Sequence, residues 1–356
     1  MRTLLVLLLC LAQPALALTP GDCRRVAVVG GDGGEALSGI EDLVYHPPSG
    51  DLILSVHDRW GDGDDEAAVK GLFAVALDDL AFAGQVTASR IGPETEDGLP
   101  LRPHGIALRD FGDGDWRLAV VNHRVLQQED TADGRAGTVI EEYSVAPDGT
   151  LTRGRTVTGP LCPANDLDWL DRDRLVVTLD RTYCGGARRF VELSLGLWWG
   201  RLVEADLSTG GVRTLAEDLG FPNGVLVQDD EVFVAFSREK RIARYRRDAV
   251  GRLDEIRHAA LSGGGDNLSA DAAGRLLLAV HPDLTEFGLY SLRVWGYDSA
   301  PTRLVRVAPR NLEIETLLDD PDGVTIAGAT SVIEAGGHWI AGAAFDSGLL
   351  VCPAHE

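Results

Sequence analysis

Positive charge is scarce in this chain. Its 33 Lys and Arg face 55 Asp and Glu, a formal net charge of −22. That balance argues against nucleic acid or an anionic membrane surface as an electrostatic partner. Long apolar runs are lacking too. Only Leu4 to Leu11 is continuously apolar over such a length, and that run is too short to cross a bilayer. No Gly-x-Ser-x-Gly elbow, phosphate-binding glycine loop or Cys-x-x-Cys pair occurs, so serine-hydrolase and nucleotide readings lack support.

The N-terminus instead reads as a secretory signal over residues 1–17: Arg2 is the basic start, Leu4 to Leu11 the apolar core and Ala15-Leu16-Ala17 the cleavage site. The competing reading is an uncleaved anchor. Residues 18–356 then form a single secreted or periplasmic domain. Cys10 falls in the signal, leaving Cys23, Cys162, Cys184 and Cys352. An even count in an exported chain points to disulfides, with three pairings open. Cys23 and Cys352 lie at the two ends, where a fold whose termini meet would be stapled shut, a closure worth roughly 5 kcal/mol at most. Cys162 and Cys184 flank one hairpin and either pair or stay as buried thiols.

Glycine is abundant, at 42 residues, as many tight turns between short strands require. One pattern recurs: a polar junction, a short apolar strand, a turn, a second strand. The junctions are Ile40-Glu41-Asp42, Pro103-His104-Gly105-Ile106, Ala164-Asn165-Asp166, Pro222-Asn223-Gly224-Val225, Gly263 to Asn267, and Gly328-Ala329-Thr330. Starts at 41, 104, 165, 223, 266 and 330 give intervals of 63, 61, 58, 43 and 64. Six such units predict an all-β, six-bladed propeller. The acidic run Gly61 to Glu66 reads as solvated surface. Arg188 to Gly200 breaks the pattern and reads as a helix over one face, either a lid or membrane-facing element or a segment packed on the blades.

In a propeller the innermost strand of each blade lines a central tunnel, so polar residues at its start face the axis. Glu41, Asn165, Asn223, Asp266 and Asn267 are all oxygen donors there, which suits calcium, whereas zinc calls for His or Cys. Glu41 and Asp266 supply two charges for one divalent ion. Adjacent residues on an extended chain point oppositely, so Asp42 and Asp166 serve a second ion at another depth. Taken singly, these residues are ordinary turn formers; five in register with a repeat favour metal. His104 and His123, on adjacent strands, form a candidate proton-transfer pair, and His281 ends the equivalent strand and lines the same mouth. Asn267-Leu268-Ser269 matches a glycosylation sequon, set aside because a ligand Asn is buried.

The segments IEDL (40–43), PHGI (103–106), VVNH (120–123), NDL (165–167), PNG (222–224), DNLSAD (266–271), AVHP (279–282) and the closing run from Gly328 to Cys352 resemble the paraoxonase/arylesterase family of calcium-dependent lactonases. The resemblance spans nearly the whole mature chain. It implies a six-bladed propeller with two calcium ions in its tunnel. The catalytic ion would be held by Glu41, Asn165, Asn223, Asp266 and Asn267. The structural ion would be held by Asp42, Asp166 and the backbone carbonyl of Ile106. It further implies a His104–His123 dyad, a closing Cys23–Cys352 disulfide, an active-site Asp180, a pocket wall at Phe221 and an interfacial helix around SLGLWW (194–199). The implied activity is calcium-dependent hydrolysis of a small-molecule lactone or aryl ester, with peripheral membrane or lipid contact through residues 188–200. The rivals are a gluconolactonase-type sugar lactonase and a non-catalytic, calcium-stabilised binding propeller. Three features depart from the family pattern: a cleavable-looking signal, the cysteines 162 and 184, and the rim near Trp60.

Overall fold

The computed structural model describes residues 17–31, 34–61, 68–92, 101–125 and 136–354. The proposed signal, apart from Ala17, and most of the acidic run at 61–66 lie outside them. The described residues are mainly strands, in five sheets. Four of these are four-stranded antiparallel meanders in chain order. One comprises Pro103–Asp110, Trp116–His123, Thr138–Val145 and Leu151–Val157. The other three begin with Ala164–Trp169, Pro222–Gln228 and Gly264–Ala270.

The remaining eight strands share one sheet, which corrects the expectation of six separate blades. The repeat that starts at Ser38–His46 and the one that starts at Ala329–Ala335 are joined twice. Arg24–Gly30 pairs antiparallel with Leu349–Pro353 and parallel with Gln85–Ile91, and Ser38–His46 also pairs with His338–Ser347. The cause is closure. The first strand of the described chain fills the outer gap between the two terminal repeats, leaving no free edge there. The architecture is all-β and propeller-like, and its six innermost strands contact one another in a closed ring.

The ring is tightened by carboxylates that reach from one sheet to the next. Asp42 accepts from the Ile106 N–H at 2.8 Å, Asp166 from Val225 at 2.8 Å, and Asp168 from Val227 at 2.6 Å. Fully buried Trp169 donates its indole N–H to the Ala107 carbonyl at 3.1 Å. Innermost strands such as Ala164–Trp169 are buried along their whole length, as strands with neighbours on both faces must be.

Two disulfides form. Cys23–Cys352 closes the chain ends, 329 residues apart in sequence. Cys162–Cys184 also pairs, which decides between the two states open for those residues.

Candidate active site on the propeller axis

All six innermost strands carry a register shift against their neighbour, and it falls on the polar residues each time. The shifts lie between Ile40 and Asp42, Pro103 and Ile106, Ala164 and Leu167, Pro222 and Val225, Gly265 and Leu268, and Ala329 and Ser331. The junctions expected before the strands are therefore bulges within them. A bulge bends the strand and re-aims its side chains, so the strict alternation assumed above does not hold there. Glycines let the bulges approach closely. A Cβ on Gly224 would stand 2.3 Å from the Asp266 carbonyl oxygen, and one on Gly105 2.5 Å from Asp166 Oδ1.

The expected axial residues meet. His104 Nε2 lies 2.8 Å from Glu41 Oε1 and Arg59 lies 3.4 Å from Glu41 Oε2. Thr330 and Asn267 donate to the Glu41 carbonyl at 2.7 and 3.4 Å. The Asn223 amide donates to Ser237 at 3.0 Å, and Ser237 donates to the Gly265 carbonyl at 2.7 Å. Asn165 hydrogen-bonds Asp180. The amide groups are thus spent on neighbours, while Asn165 Oδ1, Asn223 Oδ1 and Asn267 Oδ1 stay buried without a hydrogen-bond partner, as does Glu41 Oε2. Orphaned buried acceptors are costly and call for an occupant.

The charges make the same demand. Glu41 stays below the usual carboxylate range: burial pushes it up, but His104 and Arg59 outweigh that. Asp42 is raised well above the range by burial and by Glu41, and Asp166 by burial and by Asp42. Asp266 is raised by burial, partly offset by His281. A cation among them would relieve both the repulsion and the desolvation. Among the described residues, no three or more His, Cys, Asp or Glu stand in metal-holding geometry. The converging donors are mostly amide oxygens, a hard-cation set that fits calcium. Asp42 and Asp166 have backbone duties. Besides the bonds to Ile106 and Val225, they accept from Leu43 and Leu167. It is the N–H of Ile106 that is engaged here. Both Asp residues and Ile106 line an inner cavity of about 240 Å³.

His104 and His123 pair as expected, with His104 Nδ1 2.9 Å from His123 Nε2. His123 Nδ1 lies 3.0 Å from the Thr138 hydroxyl. One set of neutral tautomers satisfies the chain: Thr138 donates to His123, His123 to His104, and His104 to Glu41. His123 is held well below its usual range by burial and then by His104, which keeps it neutral.

Both histidines line an outer cavity of about 350 Å³, beside Arg59, Trp60, Arg181 and Arg189. Asp180, Phe221 and His281 are not among its lining residues. Asp180 is buried behind it, gripping Arg181 at 2.7 and 2.9 Å. Phe221 sits at φ 61°, with the Arg238 guanidinium 6.0 Å from its ring. His281 is buried, stacked on Phe287 at 3.8 Å, with Nε2 2.6 Å from Asp266 Oδ2; it orients that carboxylate. Arg59, Thr138, Arg181 and Arg189 were not anticipated. Register offered one clue: His57 and Ser237 end or follow second strands as His123, Asp180 and His281 do.

The segment outside the repeat forms the helix Gly186–Leu195. Its buried Glu192 accepts from the Thr182 and Tyr183 N–H groups at 2.8 and 3.0 Å, while Phe190 and Leu195 are exposed. Among the described residues no helix is long and apolar enough to cross a membrane.

An all-β ring with acids, amides and a histidine relay gathered at its centre, beneath an open pocket, defines a propeller with an axial polar site. The chain belongs to the arylesterase family, whose sequence model matches residues 83–352. Glu41 and Asp42 precede that match. No curated protein sequence matches significantly. Among solved structures, a gluconolactonase from Xanthomonas campestris is similar at 16% identity and TM-score 0.51, covering 96% of this chain and 98% of its own. A proposed gluconolactonase is similar at 16% identity and TM-score 0.50, covering 94% of each chain. At such identity the likeness speaks for the fold alone.

Proposed function

We propose that this protein is a calcium-dependent hydrolase of lactones and aryl esters. The observation that carries the reading is the set of buried oxygens without a hydrogen-bond partner, on Asn165, Asn223, Asn267 and one side of Glu41, beside the His104–His123 relay. Glu41, Asn165, Asn223, Asp266 and Asn267 would hold the catalytic ion, and Asp42, Asp166 and the Ile106 carbonyl a second. Bound calcium supplies a Lewis acid that polarises an ester carbonyl. His104 takes a proton from water, and His123 holds its ring in place. Both ring nitrogens of His104 are engaged here, by Glu41 and by His123. Nε2 becomes a base when Glu41 turns away and the relay takes the opposite tautomers, with His104 Nδ1–H donating to His123 Nε2 and His123 Nδ1–H to the Thr138 hydroxyl. The outer pocket, which Trp60 lines, positions the substrate.

The family membership supports ester chemistry, and the histidine pair favours this reading over a sugar lactonase or a purely binding propeller. We extend the proposal to a six-bladed count, with the eight-stranded sheet taken as two blades. It further includes one domain after a cleaved signal at residue 17, and export, with which two disulfides agree. Exposed Phe190, Leu195, Trp198 and Trp199 support peripheral lipid contact. The test is a panel of lactones and phenyl acetate, with and without calcium. Hydrolysis should require calcium; full turnover after chelation would end the reading.

A further inference from the structure

The outer pocket is at odds with the chain around it. The protein as a whole carries a net charge of −22, yet no carboxylate lines this cavity among the described residues, and three arginines do: Arg59, Arg181 and Arg189. Two are braced from behind. Glu41 holds Arg59 at 3.4 Å, and Asp180 holds one nitrogen of Arg181 through both its oxygens. Arg181 keeps a buried Nε–H that has no hydrogen-bond partner. Arg189 belongs to the helix Gly186–Leu195 and lines the same cavity; burial and then Arg181 lower its pKa, and the charge of Asp180 partly offsets them. Guanidiniums gathered on a wall that carries no carboxylate suit an anion, and the planar guanidinium fork matches a carboxylate in particular. Trp60, Leu292 and Phe345 also line the cavity, apolar surface suited to a ring.

We infer that the preferred substrate is a ring-bearing lactone or aryl ester that carries a free carboxylate, seated on Arg181 and Arg189 while its ring lies against Trp60 and Phe345. This rests on the hydrolase reading and narrows it. The carboxylate sets affinity and orientation; the scissile carbonyl sits over the axial cluster. A neutral ester of the same shape brings the two guanidiniums no charge partner and binds more weakly.

The test compares phenyl acetate with 4-carboxyphenyl acetate on the native protein and on Arg189→Gln and Arg181→Gln. A charged hydrogen bond of ordinary strength predicts a KM at least about tenfold lower for the carboxylated ester, with kcat little changed. Each substitution should shrink that KM ratio towards one. Equal KM values in the native protein, or substitutions that move both esters alike, overturn the proposal. Calorimetric titration with 4-hydroxybenzoate, against 4-hydroxybenzamide, reads the anion site without turnover. If neither ester is cleaved, the hydrolase reading fails. The titration then still decides the site: saturable 4-hydroxybenzoate binding lost in Arg189→Gln upholds it, and no binding overturns it.

Discussion

His104 Nδ1 lies 2.9 Å from His123 Nε2, with the two rings inclined at 63°. The bond leaves His104 with a single outlet, through Nε2 to Glu41. Its partner stiffens and polarises it without facing the axial oxygens. Replacing His104 with Gln should therefore lower kcat on phenyl acetate by about 10²–10⁴, the usual worth of a general base. His123→Gln should cost less, because the glutamine amide can still hydrogen-bond His104 Nδ1 as donor or acceptor. A double variant with an undiminished rate would remove the relay from the mechanism.

Calcium should stabilise as well as activate. At a hundred times its Kd, a ligand confined to the folded state contributes about 2.7 kcal/mol. Thermal unfolding after chelation should show a lowered Tm that calcium restores. Asn223→Ala should blunt that response, since it removes one partnerless oxygen. A Tm indifferent to calcium in the native protein would speak against the ion.

Acid should weaken the sheet that begins with Pro103–Asp110 at a known place. Glu142 is pushed up by burial, but the bonds from Arg155 at 2.7 and 2.8 Å and the charge of Arg117 bring it below its ordinary value of 4.5. A carboxyl depressed in the folded state adds stability that is fully present above its unfolded pKa. That stability is lost as pH falls through the folded one. Glu142→Gln should cost about 1–3 kcal/mol at pH 7, with the gap to the native protein closing below pH 4.5. Urea titrations across pH measure it; a pH-independent gap would refute the assignment.

Gly224 is a place where crowding bears directly on the axial site. Its added Cβ would meet the Asp266 carbonyl oxygen at 2.3 Å and Asn267 Cα at 2.7 Å. Both are backbone atoms, unable to swing aside. Gly224→Ala should destabilise by about 1–3 kcal/mol and reduce activity, because the displaced residues carry axial oxygens. A variant with native stability and rate would show that the strands have more room than this.

The two disulfides differ in the length of chain they close, 329 residues against 22. On the chain-entropy account, losing Cys23–Cys352 should cost about 2 kcal/mol more than losing Cys162–Cys184. Paired Cys→Ser variants in equilibrium unfolding test the difference. The reverse order would assign the Cys162–Cys184 bond the larger structural role.

The sequence by itself determined the repeat, the class of fold and the residue types at the axis. Polar junctions before apolar runs, spaced by about one blade, mark strands that share a centre, and local pattern carries that much. The terminal cysteines carried the closure. Tertiary structure decided the rest. It turned the expected junctions into bulges, merged the first and last repeats into one sheet, and joined Cys162 to Cys184. It also tied His104 to Glu41, moved His281 and Phe221 away from the pocket lining, and brought Arg59, Arg181 and Arg189 to it. The reason is physical. A strand's period tells which face a side chain takes, but a one-residue bulge resets that phase. Which faces then converge depends on how sheets from distant parts of the chain pack around the axis.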